Sequence, residues 1–165
     1  MFTEYVMFVV FSGHYGAITV FPALALYAAR VALCESSQAP CGLCRSCRTL
    51  DAFVPGDEES PQHPDLHWVA PLPTADGEKT RMSISIDQIR ELGHALAKTS
   101  HGRGGATAAI LTPADWMTTG ASNALLKTLE EPRPGTLIVL LTAVPGKVLA
   151  TLRSRCLRLQ VRVPR

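Results

Sequence analysis

The apolar positions change period repeatedly along the chain. "YVMFVVF" (residues 5–11) is a continuous apolar run rich in aromatic and β-branched residues, the pattern of a strand buried on both faces. Residues 22–34, "PALALYAARVALC", are helical in pattern, with Pro22 tolerated in the first turn. Residues 54–64, "VPGDEESPQHP", are polar and proline-rich and predict a loop. A short strand is predicted over 65–71 and a second loop over 72–82. The next helix is marked at its start: Ser85 and Gln88 stand at capping-box spacing, and Ile84 and Ile89 flank them as a hydrophobic staple. Ile86, Ile89, Leu92 and Leu96 then line one helical face. Gly102, Gly104 and Gly105 predict a turn before a buried strand at 107–112. A helix follows over 123–132, stopped near Pro132 and Pro134, then a buried strand over 136–142, a short helix over 147–155 and an alternating strand over 156–163.

Strand and helix alternate throughout, and strands buried on both faces need helical crossovers. The expected fold is therefore α/β, a parallel sheet flanked by helices. The 165 residues fit one domain, and 47% hydrophobic against 18% charged residues supply a core rather than a disordered chain. A net charge of +2 excludes a protein that lives by electrostatic attraction to nucleic acid, and basic–aromatic interleaving is absent too. No apolar run is long enough for a membrane span, so no membrane partner is expected. Residues 5–11 lack the preceding basic residues of a signal peptide, and the expected location is the cytoplasm.

Four of the five cysteines crowd together as Cys34-x6-Cys41-x2-Cys44-x2-Cys47. Four thiolates surround Zn²⁺ as a tetrahedron with Zn–S near ~2.3 Å, and a two-residue gap lets both sulfurs of a pair face one centre. Gly42 stands where such a tight loop needs backbone freedom, and Arg45 and Arg48 offset the thiolate charge. The cluster predicts a small structural zinc-binding insertion at 34–47, joining the helix before it to one near 45–53. An iron–sulfur centre is the rival, because Cys41, Cys44 and Cys47 follow a ferredoxin-like run. That run expects a fourth cysteine at position 51, where Asp51 stands, so zinc is favoured. His63 and His67 are not needed as ligands. Trp68 and Trp116 are read as packing rather than base-stacking residues.

Taken in order, "CGLCRSC", "HPDLHWVAP", "ISIDQIREL", "ASNALLKTLEEPRPGTLIVLLT" and "TLRSRC" resemble the bacterial DNA polymerase III clamp-loader subunits of the AAA+ type, strongly over residues 31–160 and weakly over 1–30. The resemblance implies a P-loop NTPase-like, five-stranded parallel sheet flanked by helices. It implies that 1–165 is a single AAA+-like domain, without the helical lid and collar that follow in the family. Active motors of the family place a glycine-rich phosphate loop ending in Gly-Lys-Ser/Thr after the first strand. Here Gly13 and Gly16 match the early glycines, but Ile18, Thr19 and Val20 fall on the last three positions. Thr19 cannot neutralise phosphates as an ammonium does, and Val20 offers Mg²⁺ no oxygen. The motors' Asp-Glu pair falls on Thr112 and Pro113, with Asp115 two residues late. The resemblance thus implies a non-hydrolysing subunit whose own site holds no ATP.

What the resemblance leaves active is Ser154-Arg155-Cys156. In the family this arginine reaches the ATP of a neighbouring subunit, a role suited to an always-charged, bidentate guanidinium. Arg153 is the fallback, and Cys156 reads as a small buried residue. Thr142 is expected to cap its strand, although this region senses the γ-phosphate in active relatives. Lys127, Glu130 and Glu131 are placed on an exposed face or a subunit contact. The implied partners are the gamma/tau and delta subunits and, through the complex, the sliding clamp and primer–template DNA in a nucleoid-associated replisome. The alternatives are an active gamma/tau-type ATPase and a zinc or iron–sulfur module unrelated to ATP.

Overall fold

The computed structural model describes residues 5–11, 20–76, 79–102 and 105–161. In chain order the elements are β1 (Tyr5–Phe11), α1 (Val20–Leu33), α2 (Arg45–Ala52), β2 (Leu66–Val69), β3 (Leu72–Asp76), β4 (Lys79–Ser83), α3 (Ile86–Ala97), β5 (Thr107–Leu111), α4 (Thr119–Glu130), β6 (Thr136–Thr142), α5 (Ala150–Arg153) and β7 (Leu157–Val161). Five strands form one parallel sheet in the order β2-β5-β6-β1-β7. This is the expected α/β architecture. Every residue of β5 and of β6 is buried, as their unbroken apolar runs require.

Successive residues of these strands serve opposite faces. Ala109, Leu111, Ile138 and Leu140 join Ile89 and Leu92 of α3, Leu125 of α4 and Leu152 of α5 in one core. Ala108, Ile110, Val139 and Leu141 join Ala25 and Ala29 of α1 and Leu50 of α2 in the other. Helices thus cover both faces, α1 and α2 on one and α3 to α5 on the other. Among the described residues no helix is long and apolar enough to cross a membrane.

The capping box is present in full: Gln88 N–H donates to Ser85 Oγ at 3.3 Å, and Ser85 N–H donates to Gln88 Oε1 at 3.0 Å. Ile84 and Ile89 of the staple are fully buried. Ile86 is only half-buried, so the buried stripe of α3 is Ile89, Leu92 and Leu96.

Three expectations are corrected. Residues 72–82 are not a loop, because β3 and β4 pair there as an antiparallel hairpin from Leu72↔Ser83 to Asp76↔Lys79. Pro73 and the charged residues hid it, since a hairpin outside the main sheet needs no apolar face. Helix α4 begins at Thr119, four residues before the expected start, because the Thr118 hydroxyl accepts from Ala121 N–H at 3.1 Å and sets its first turn. The expected helix over 147–155 is a 3-10 turn at Pro145–Lys147 followed by the four-residue α5. No side chain caps α5, and Val148 and Leu152 spend that stretch reaching the core instead.

Gly135, at the turn into β6, has φ +80°, and a Cβ there would lie 3.0 Å from the Gly105 carbonyl oxygen. Only glycine allows both the left-handed backbone and this approach. Leu125 is fully buried in the α3–α5 core. Leu125→Ala is expected to cost about 3 kcal/mol in urea unfolding, with an unchanged denaturant slope.

Candidate metal centre and arginine site

The turn after α1 and the start of α2 bring the four cysteines together. One ligand atom from each of Cys34, Cys41, Cys44 and Cys47 lies within 4.8 Å of the others, and the Cys34 and Cys44 sulfurs are 4.0 Å apart. Backbone amides point at the sulfurs. Ser36 and Cys41 N–H reach Cys34 Sγ at 3.5 and 3.4 Å, Cys44 N–H reaches Cys41 Sγ at 3.3 Å, and Cys47 N–H reaches Cys44 Sγ at 3.4 Å. Gly42 has φ +70°, the left-handed conformation that lets the Cys41-x2-Cys44 turn close. Such N–H donors stabilise thiolates. Those of Cys44 and Leu43 draw the Cys41 thiol down to about 6. Burial opposes ionisation of Cys44, but N–H bonds from Glu35 and Cys47 outweigh it and lower its pKa. Burial pushes the Cys47 thiol up to about 12. The set fits a soft divalent metal: four thiols at one centre, amides oriented for charge on sulfur, and no open ligand position.

A polar chain, buried at Ser46, His63 and Asp65, fastens this centre to the sheet. Ser46 Oγ, beside Cys47, donates to Glu35 Oε1 at 3.1 Å. His63 Nε2 lies 3.0 Å from Ser46 Oγ, and Asp65 N–H donates to His63 Nδ1 at 3.1 Å. A backbone amide only donates, so Nδ1 accepts and the Nε2 proton goes to Ser46. Both ring nitrogens of His63 are thus engaged outside the cysteine cluster, and the residue links the cysteine loop to the start of β2. His67 also stays outside the cluster. The Asp65 carboxylate, itself buried, accepts N–H bonds from His101 at 2.8 Å and Gly102 at 2.9 Å. Burial works against its charge, yet these donors hold its pKa below the ordinary carboxylate value. On the other side, Arg30 of α1 makes an ion pair with Asp51 of α2 at 2.5 Å.

The phosphate-loop candidates Gly13, Gly16, Ile18 and Thr19 lie outside the described residues. The backbone of Val20 opens α1. The crossovers leaving β1 and β6 run to opposite edges of the sheet, so the ligand crevice of this fold lies beyond the carboxyl ends of those two strands. Thr142 ends β6 there, paired in register with Val10. Its hydroxyl donates to Asp115 Oδ1 and accepts from Val144 N–H at 3.0 Å. Thr142 thus closes the turn after its strand, as expected, and it also binds Asp115, which sequence reasoning left without a partner. Thr112 and Pro113 stand at the end of β5 and bring no carboxylate to the crevice.

Arg155 lies in the exposed turn beyond α5, not within the short helix expected over 147–155. Its Nη2 meets Glu130 Oε1 at 2.8 Å, and its Nη1 donates to the Thr151 carbonyl at 3.2 Å. Arg153 is exposed. Cys156 packs against the core, and burial pushes its thiol up to about 11, in keeping with a structural residue. Trp68 packs against Phe53 with ring centroids 6.0 Å apart, whereas Trp116 is half exposed. A groove of about 800 Å³ opens between α3 and α4, lined by Arg90, Gly93, Gly120 and Lys127, and holds none of the sequence-predicted site residues.

Two outcomes are expected. Cys47→Ser should reduce bound metal to well under half an equivalent by elemental analysis, with a lower melting temperature. His63 carries a pKa lowered from 6.5, chiefly by burial. The folded state thus resists its protonation, so this contribution to stability is full above about pH 6.5 and is lost as pH falls below it. The stability gap between wild type and His63→Gln should narrow as pH is lowered from about 7.5 to about 5, read by urea unfolding at each pH.

A family model described as DNA polymerase III, delta subunit, matches residues 7–164. Over 130 residues the chain is 40% identical to DNA polymerase III subunit delta' of Escherichia coli (strain K12), covering 77% of this chain and 34% of that protein. It is 40% identical over 125 residues to the delta' subunit of Bacillus subtilis (strain 168), covering 74% and 32%. A DNA polymerase III subunit gamma/tau of Mycobacterium bovis is 33% identical over 120 residues, covering 70% and 17%. The chain therefore spans about a third of the length of its delta' relatives. Among solved structures, a DNA polymerase III gamma subunit-related protein from Thermotoga maritima superposes with a TM-score of 0.55 at 24% identity, over 96% of this chain and 42% of that one, a likeness of fold. The chain belongs to the DNA polymerase III delta' family of clamp-loader subunits.

Proposed function

We propose that this chain acts in bacterial DNA replication as a non-hydrolysing subunit of the clamp loader, lending Arg155 to the ATP site of a neighbouring gamma/tau subunit. The observation that carries this reading is Arg155 itself, a half-exposed guanidinium on a turn anchored by the buried Leu152 before it and the packed Cys156 after it. A cation held at the surface by a rigid base can meet phosphate charge on another chain, and an arginine supplied in trans is worth ~10³–10⁵ in rate in GTPases. The chain's own crevice supports the other half of the reading. Thr112 and Pro113 supply no carboxylate to coordinate Mg²⁺ or polarise water, and Asp115 is engaged with Thr142. Loss of those charges removes the electrostatic stabilisation that phosphoryl transfer needs.

In this reading the delta and gamma/tau subunits flank the chain, and the assembled complex places the sliding clamp on primer–template DNA in the cytoplasm. The four cysteines hold structural Zn²⁺, which ties α1 to α2 and takes no part in the chemistry. The thiolate-only ligand set and the amide donors around it favour zinc.

The test is ATP turnover. The isolated chain should neither hydrolyse ATP nor bind Mg-ATP tightly. A complex assembled with gamma/tau and delta subunits should lose roughly tenfold or more of its clamp- and DNA-stimulated rate on Arg155→Ala, with little change in Arg153→Ala. Turnover by the isolated chain would instead favour an active gamma/tau-type ATPase.

A further inference from the structure

We propose that Glu130 is a positioning residue for Arg155, fixing the direction in which the guanidinium is offered. The inference rests on the finger role just described and deepens it. Arg155 sits two residues beyond a four-residue helix, where the backbone alone does little to aim a side chain with four rotatable bonds. Two contacts restrain it, Glu130 Oε1 at 2.8 Å from Nη2 and the Thr151 carbonyl at 3.2 Å from Nη1. The base of this arrangement is rigid. Glu130 closes α4, whose Leu125 and Leu129 share one core with Leu152 of α5. The negative end of the α4 dipole lies at Glu130 and favours a cation there.

The geometry leaves the finger usable. A guanidinium carries five N–H donors, and these contacts engage one on each terminal nitrogen, so three remain for an anion on another chain. Glu130 and Arg155 side chains are 49% and 40% exposed. An ion pair this wet contributes little to folding, so the pair is not explained by stability, and a substitution at Glu130 reports on aim rather than on fold. Preorganisation also has rate consequences, because a misplacement of about 1 Å at a reacting centre costs up to ~10²-fold.

The experiment uses the complex assembled with gamma/tau and delta subunits and reads clamp- and DNA-stimulated ATP turnover. Glu130→Ala should lower kcat roughly tenfold, with KM for ATP unchanged because another chain holds the nucleotide. Glu130→Gln, whose amide oxygen still accepts from Nη2, should recover most of the rate. The double variant Glu130→Ala/Arg155→Ala should be no slower than Arg155→Ala alone, since the glutamate acts only through the arginine. Glu58→Ala is the exposed control, and equal melting temperature and metal content exclude a folding defect. Wild-type or faster turnover by Glu130→Ala beside a slow Arg155→Ala would overturn this inference while sparing the finger role. Losses that add in the double variant would do the same. Arg155→Ala at the wild-type rate would remove both.

Discussion

The constraint on which the rest depends is the complete burial of β5 and β6. Their backbone groups are satisfied only by parallel neighbours on both sides, and their side chains leave both faces of the sheet apolar. Each face must then be covered by helices, and parallel neighbours can be joined only through long crossovers. The two cores follow from this, α1 with α2 on one face and α3 with α4 and α5 on the other. The same order sets β1 between β6 and β7, so the strands that follow β1 and β6, β2 and β7, stand at opposite edges of the sheet. Asp115, Thr142 and the turn that carries Arg155 all take their places from that arrangement.

The cysteine module and the arginine turn solve opposite problems. The module sits after α1, and α2 alone supplies it with too small a core, so the thiols, the Arg30–Asp51 pair and the His63 chain substitute for apolar packing. Of those links, the His63 chain satisfies polar groups that would otherwise be buried alone. The arginine turn is instead anchored by apolar residues and leaves its polar tip to solvent. Leu152 and Cys156 pin the backbone on either side, and Glu130 from the neighbouring helix steadies the head group. A polar knot and a surface cation thus rest on opposite kinds of support.

Legibility in the sequence followed the range of the interaction. Strands β1, β5 and β6 were readable because an unbroken apolar run has few other uses. Helix α3 was readable because Ser85, Gln88, Ile84 and Ile89 act on one another within five residues. The cysteine cluster was readable because its four members lie close together in the chain as well as in space. The β3–β4 hairpin was not, since its pairing leaves no alternating apolar face to count. The partners joined across the chain were also hidden. Asp115 with Thr142, His63 with Ser46 and Glu130 with Arg155 are separated by many residues, and only the strand order brings them together. The family resemblance singled out Arg155 as a candidate, but the carboxylate beside it came only from the packing of α4 on α5.

The His63 chain has a directional consequence. Asp65 N–H can only give, Glu35 carboxylate can only take, and His63 and Ser46 each pass one proton between them. Proton order is therefore the same at every link, running from the strand edge toward the cysteine loop. Turning His63 round would leave a donor facing a donor at the buried Ser46 and Asp65. The loop is keyed to the sheet by polarity as well as by shape, so a replacement of the right volume still fails unless it accepts on one side and donates on the other.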